Sequence, residues 1–354
     1  FGVTWQSYVL HASLINAILT LATFFVLINF NLNIYYSFIY SLFFSILAYP
    51  VSGTPFVDHH SAFFSLLGIY SLILGIKTEQ KIYWILLPIF FVFAFLSKQV
   101  PSSYIILSSV LILIIYSFSE KKINWLKYSK KIFLSLFCIF MMIQIQHYLI
   151  KNDYTSKNQI NVTQVQPIDN IFRNADIEKN IWTQTSWLPK KIDQKVSTLV
   201  GIRKVIIDAN KQNSSGSAID LDVMFESTVD TLLYIPRALQ ISFFSPFPSK
   251  WFEEGSTKST TMMRKIVIFE MLLIYISYLS FPLAFIFWIK RTEFWVPLFY
   301  CSSMMTLYAI AVPNIGTIFR YRYPYLMILI TILIISGHKF IYKKFFTENE
   351  KYNS

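Results

Sequence analysis

The chain is cut by short polar breaks into a series of apolar runs, each close to 20 residues long. A helix rises 1.5 Å per residue, so about 20 apolar residues cross the roughly 30 Å of a bilayer's hydrocarbon. Nine such windows occur, at about 8–29, 34–51, 61–76, 82–97, 103–118, 132–149, 264–289, 294–312 and 323–338. Hydrocarbon offers the backbone no hydrogen-bond partner, so segments of this kind must be helical. The expected fold class is therefore an all-α membrane protein with about nine transmembrane helices. The composition agrees: 55% of residues are hydrophobic, only 14% are charged and the mean hydropathy is +0.49, which is too little polar surface for a soluble domain of 354 residues.

The formal charge of +12 raises the question of a nucleic-acid ligand. The basic residues lie beside the apolar windows, however, and no nucleic-acid module accompanies them, so topology is the better account. Lys77, Lys81, Lys121, Lys122, Lys127, Lys130, Lys131, Lys290 and Arg291 fall on one set of connections, with Lys339, Lys343, Lys344 and Lys351 in the tail. The alternate short connections carry only Lys98, Arg320 and Arg322. The positive-inside bias then puts the first set in the cytoplasm, the N-terminus outside and the C-terminus inside. Three parts follow: a six-span bundle over 1–149, an extracytoplasmic segment over 150–263 between the sixth and seventh spans, and the last spans with a cytoplasmic tail over 264–354. No basic stretch followed by a short apolar core and a cleavage site marks a signal peptide. Cys138 and Cys301 lie inside apolar windows far apart and read as small apolar residues rather than a disulfide.

The first part of the outer segment, from about 150 through Gln166-Pro167-Ile168-Asp169 to Trp187-Leu188-Pro189, shows few clean periodicities and predicts irregular structure with short helices. From Ile219 to Leu239, Leu221, Met224, Phe225, Val229, Leu232 and Leu233 recur at helical spacing while Asp220, Asp222, Glu226 and Asp230 take other positions. This predicts an amphipathic interfacial helix stopped by Pro236. The following Phe243 to Phe252 stretch is too broken by proline to span, and its aromatics suit headgroup depth.

Four sets of polar residues stand out against this background. Asp58, His59 and His60 adjoin an apolar window, where ionisable groups are costly and mark a functional site by default. A carboxylate with imidazoles suits a divalent metal ion, a phosphate or proton transfer. Three adjacent residues cannot point one way, so a complete metal site needs further ligands. Lys98 and Gln99 form a tight connection between two windows. Arg320, Tyr321 and Arg322 run against the charge bias and require an anionic partner, and a guanidinium fork fits phosphate oxygens. Glu270, about two turns into its window, is expected to face the bundle and to pair with a cation or polar group. His11 and His147 receive no role. Asn161-Val162-Thr163 and Asn213-Ser214-Ser215 match the glycosylation triplet. No phosphate-binding loop, dinucleotide fingerprint, serine elbow or zinc-protease motif occurs.

The run from Gly53 to Gly68 with its Asp-His-His, the connection Leu96-Ser97-Lys98-Gln99, and Phe319-Arg320-Tyr321-Arg322-Tyr323-Pro324 resemble motifs of the GT-C class of integral-membrane glycosyltransferases. The nearest likeness is to bacterial members grouped with protein mannosyltransferase-like and lipid A aminoarabinose transferases. The similarity covers the membrane windows and hardly touches 150–215. It implies a polyprenyl-phosphate-linked sugar as donor and a lipid, glycan or protein as acceptor. It also implies reaction on the extracytoplasmic face of a multi-pass protein of the bacterial inner membrane. Asp58, His59 and His60 would then be catalytic, and Lys98, Gln99, Arg320, Tyr321 and Arg322 would bind the donor. In that class the main catalytic carboxylate lies in the first outer loop after a span with no counterpart here. The resemblance thus implies an N-terminally truncated fragment, with Asp58 a supporting acid. An O-antigen polymerase or ligase also uses outer-face arginines on lipid-diphosphate donors. A transporter or flippase of lipid-linked sugars would instead show internal repeats and broken helices, and the sequence carries neither.

Overall fold

The structure is a computed structural model that describes residues 5–29, 32–47, 57–98, 133, 137, 140, 144, 182–212, 216–255, 258–289 and 291–345. Among them are eleven α-helices and no strand: α1 (Trp5–Asn29), α2 (Ile34–Leu47), α3 (Val57–Thr78), α4 (Lys81–Ser97), α5 (Lys190–Gln212), α6 (Thr228–Leu233), α7 (Ile235–Phe244), α8 (Lys258–Tyr278), α9 (Phe281–Trp288), α10 (Thr292–Ala311) and α11 (Ile315–Phe345). Three stretches are helical, long and apolar enough to cross a membrane: Arg264–Trp288, Phe294–Ala311 and Ile315–Ile341. Shorter apolar helices cover Ser13–Phe25, Ile34–Ser45, His60–Ile76 and Lys81–Ser97. The expected windows 103–118 and 132–149 lie outside the described residues, apart from Phe133, Phe137, Phe140 and Gln144, which are helical and exposed.

The described chain forms two compact units. One is drawn from Phe1–Ile139, Pro248–Ser303 and Tyr321–Ser354, the other from Phe140–Phe247 and Met304–Arg320. Helices α10 and α11 thus each contribute to both.

In the first unit the helices pack through small and polar groups, as expected where lipid removes most of the hydrophobic drive for association. Helix α3 carries Ser61, Ser65, Gly68, Ser71 and Gly75 at three- and four-residue spacing. Ser61 Oγ donates to the Ala94 carbonyl of α4 at 3.3 Å, and Trp84 Nε1 donates to the Gly75 carbonyl at 3.1 Å. A Cβ at Gly68 would stand 2.6 Å from Phe91, so glycine permits this approach. Asn16 of α1 reaches the Ser45 carbonyl of α2 at 3.0 Å. Helix α8 stops at Leu279-Ser280 and α9 resumes with Pro282 in its first turn, where no amide donor is needed. A buried cluster of Leu27, Leu32, Ala284, Trp288, Phe294 and Ile332 completes the packing. The outer face of α8 is apolar and bare: Phe269 is 73% exposed and Leu279 76%, beside Glu270 at 8%. A helix that buries its carboxylate and exposes its phenylalanine is built for lipid rather than water.

The second unit centres on Phe225, Tyr234, Ala238, Ile241, Ala309 and Ile318. Helix α5 begins at Lys190, just beyond the stretch expected to be irregular, whose described residues 182–189 carry no helix. It runs for 23 residues, and its periodicity is masked because its buried positions are Asp193, Arg203, Ile207 and Asn210. Each polar member is satisfied. Asp193 accepts from Trp182 Nε1 at 2.9 Å, Thr228 Oγ1 at 2.7 Å and the Thr185 amide at 3.4 Å. The indole and hydroxyl donors outweigh burial and hold its carboxyl below the ordinary range. Arg203 donates to three carbonyls, and the Asn210 carbonyl oxygen accepts from Asn314 Nδ2 at 2.8 Å. Asn314 in turn caps α11, its Oδ1 accepting from the Thr317 amide at 3.1 Å. Beside it the Ile315 amide donates to the Ser217 carbonyl at 2.8 Å in a short antiparallel bridge.

The predicted helix from Ile219 to Leu239 is corrected. Residues 219–227 are turns and extended chain, and helix begins only at Thr228. Two local features hold it back. Asp220 adopts φ +51°, with its carboxylate gripped by Arg237 at 3.0 and 3.1 Å and by the Tyr234 hydroxyl at 2.7 Å. Burial pushes the Asp220 carboxyl up, but those hydrogen bonds and the nearby charge of Arg203 bring it below its ordinary value. Ser227 then caps α6 by accepting from the Asp230 amide, while Asp230 accepts from the Glu226 amide. Pro236 does not end a helix; it opens α7.

Candidate functional site

The candidate site is built on α4, α8 and the part of α11 that belongs to the first unit. Arg322 is completely buried, the more unexpected because the sequence places it at the outer end of a span. It lies inside α11, which begins eight residues earlier than the expected window, at Ile315 rather than 323. Arg322 is seven residues past Ile315 and Glu270 six past Arg264, the starts of the two candidate spans. At 1.5 Å per residue both lie about 10 Å inside.

Here Arg322 meets α8. Its Nη2 stands 3.5 Å from Met271 Sδ, and it acts electrostatically on Glu270, Tyr275, Tyr278 and Tyr323. The Tyr323 hydroxyl hydrogen-bonds to the Glu270 carboxylate, whose Oε1 is buried without a hydrogen-bond partner among the described residues. Tyr323 itself is 1% exposed. A carboxylate, a guanidinium and a phenol thus share one low-dielectric pocket of the helix bundle, where each lowers the cost of burying the others. The expectation that Glu270 faces inward beside a cation or polar group holds. Arg322 thus has Glu270 among the groups of its own chain that act on it electrostatically.

The other expected residues divide as follows. Lys98 closes α4, its amide donating to the Ala94 carbonyl at 2.9 Å, and its Nζ lies 5.1 Å from the centre of the Tyr321 ring. This cation–π contact joins two stretches that the sequence had related only by side of the membrane. Arg320 is half-buried, its Nε donating to the Gly316 carbonyl one turn back at 3.2 Å. Two residues apart on a helix are turned by about 200°, so Arg320 and Arg322 leave α11 on opposite sides and do not form one fork. Asp58, His59 and His60 are not in a loop but in the first turn of α3; His60 is half-buried, and the side chains of Asp58 and His59 lie outside the described residues, as does Gln99. Among the described residues no three His, Cys, Asp or Glu side chains converge as metal ligands. Cys301 is a buried free thiol, in keeping with an apolar role.

Sequence reading gave no part to Tyr275, Tyr278 and Tyr323. A partial signal existed: on α8 Tyr278 follows Glu270 by eight residues, about 80° round the helix, which sets its polar tip toward the side that buries the carboxylate. An apolar cavity of about 40 Å³ also lies in the first unit, lined by Thr23, Phe44, Phe63, Tyr70 and Ile332 among others. It is too small for a sugar. No protein-family model, characterised protein or solved structure matches the chain.

Proposed function

We propose that the chain is a membrane glycosyltransferase that moves a sugar from a polyprenyl-phosphate carrier to a lipid, glycan or protein acceptor on the extracytoplasmic face. The resemblance of its three motifs to the GT-C class supplies the reaction. The observation that carries it furthest is the contact of Lys98 with Tyr321, because it brings two of those motifs together, the end of α4 and the second turn of α11. A carrier phosphate sits at headgroup depth with its tail in the bilayer, and a lysine held there by an aromatic ring is placed to receive it.

In this reading Lys98 holds the carrier phosphate, and Arg320, to which the resemblance also gives a donor-binding role, is tested with it. The bond from the anomeric carbon to the phosphate oxygen breaks, its electron pair leaves on the phosphate, and the cation stabilises that charge. The acceptor oxygen takes the anomeric carbon, and its proton passes to a carboxylate, for which Asp58 at the head of α3 is the candidate. Arg322 and Glu270 hold α11 against α8 and fix the register that sets Tyr321 beneath Lys98. Nine spans, an external N-terminus and residence in a bacterial inner membrane belong to the same proposal.

The test is binding of a short-chain polyprenyl-phosphate sugar to purified protein. Lys98→Ala is expected to weaken binding by about one to two orders of magnitude, since a charged hydrogen bond contributes roughly 1.5–3 kcal/mol. Asp58→Asn should spare binding and abolish transfer. Unchanged affinity in Lys98→Ala with Arg320→Ala would remove the lipid-phosphate donor from the proposal. Binding without transfer under any acceptor would instead favour carriage of the lipid-linked sugar.

A further inference from the structure

We infer that the α6–α7 segment is a membrane-surface anchor, docked by an apolar stripe into the lipid interface. Val229, Leu232, Leu233, Pro236, Leu239 and Phe244 recur at the spacing of one helical face, and all are exposed, Leu233 by 75%. The two helices meet at Tyr234, whose φ of −79° and ψ of −12° are helical, so the stripe runs unbroken from one to the other. The opposite face is already in use. Thr228, Thr231, Tyr234, Ala238 and Ile241 are buried in the unit's own core. The stripe is therefore surplus to folding, and apolar surface of that extent marks a binding face.

Three features identify lipid as the occupant. The first is continuity: the span beginning at Arg264 starts 20 residues after Phe244 (264 − 244), which keeps this segment tied near the bilayer surface. The second is charge. Within 229–244 the only charged side chains are Asp230 and Arg237, and both are engaged by the protein, Asp230 at the Glu226 amide and Ser227 hydroxyl and Arg237 on Asp220. Arg237 keeps 39% of its side chain exposed at the edge of the stripe, where a guanidinium on a long stem can stay among the headgroups while the apolar side chains enter. The third is the connection itself, which leaves the Phe252 ring 81% exposed, bare apolar surface that suits lipid better than water. The inference stands apart from any bond chemistry and would hold for a transporter as well.

The experiment uses the full chain in nanodiscs of phosphatidylethanolamine and phosphatidylglycerol. Spin labels are placed singly through Val229→Cys, Leu233→Cys and Leu239→Cys, with Asp208→Cys on the exposed side of α5 as the water reference, in a background of Cys138→Ala and Cys301→Ala. Oxygen concentrates in hydrocarbon and a charged nickel chelate in water. Labels on the stripe should collide several-fold more with oxygen than with nickel, and the reference label should show the inverse. Nickel accessibility on the stripe equal to that at position 208 would overturn the anchor. So would labels shielded from both reagents, which would mean that a second copy or another protein covers the face. Leu232→Glu with Leu233→Glu provides the independent check: the oxygen preference at position 229 should be lost while circular dichroism is retained, and a preference that survives both glutamates refutes the inference.

Discussion

Arg203 offers the sharpest quantitative test of the second unit. Its side chain is 1% exposed; Nη1 donates to the Ile310 carbonyl at 2.9 Å, Nη2 to the Asp220 carbonyl at 2.9 Å and Nε to the Val223 carbonyl at 3.3 Å. The guanidinium also lies 5.0 Å from the Phe225 ring centre and 5.2 Å from that of Tyr234. Arg203→Met keeps the length and apolar stem but strands three carbonyls. Each buried acceptor left without a donor costs about 1–3 kcal/mol. Part of that is returned because no charge need be desolvated, so a net loss of about 3–4 kcal/mol is expected, as for other broken buried charge networks. At 1.4 kcal/mol per decade this is a rise of two to three orders of magnitude in local opening. Hydrogen exchange of the full chain in nanodiscs reads it directly at the Ile219 and Ile315 amides, which donate to the Pro313 and Ser217 carbonyls. Arg203→Lys, with charge but no planar fork, should recover less than half. Unchanged protection at both amides in Arg203→Met would refute the reasoning and leave the apolar cluster as the sole support.

Three further outcomes are expected. Asp193 has a lowered folded pKa, so its contribution to stability is complete above the ordinary value near 3.8 and is lost as pH falls through the folded value; Trp182 fluorescence should report that acid transition, and Asp193→Asn should destabilise at neutral pH and flatten the acid limb. Gly68→Ala should cost about 1–3 kcal/mol through the clash with Phe91, and Phe91→Leu should restore most of it in thermal inactivation; a neutral Gly68→Ala would mean that α3 and α4 are not in close contact. Arg322→Met should lower stability by removing the buried charge that acts on Glu270, whereas the double change Arg322→Met with Glu270→Met should cost less than the sum of the two single changes; strict additivity in that cycle would show the two are not coupled.

The sequence by itself determined the helical, apolar character of the chain, and with it the inward-facing Glu270. Run length, hydropathy and the cost of a carboxylate in hydrocarbon are local quantities, fixed before any partner arrives. The windows that became α1, α3, α4 and α10 were legible to within a few residues for the same reason. Helix α5 was not, because its buried face carries Asp193, Arg203 and Asn210, and a polar side chain is buried only when something elsewhere satisfies it. For Arg203 that includes the Ile310 carbonyl, 107 residues away. The helix predicted from Ile219 likewise gave way to a turn held by Arg237, a side chain the periodicity could not weigh against the backbone. At the candidate site, sequence supplied Lys98, Arg320, Tyr321 and Arg322 but read the arginines as a pair. Only the tertiary structure extended α11 back to Ile315, turned the two guanidiniums apart, set Tyr321 under Lys98 and gave Arg322 the company of Glu270. Which charge is sheltered and which is left to meet a ligand depends on contacts between distant helices, and spacing along one helix does not encode them.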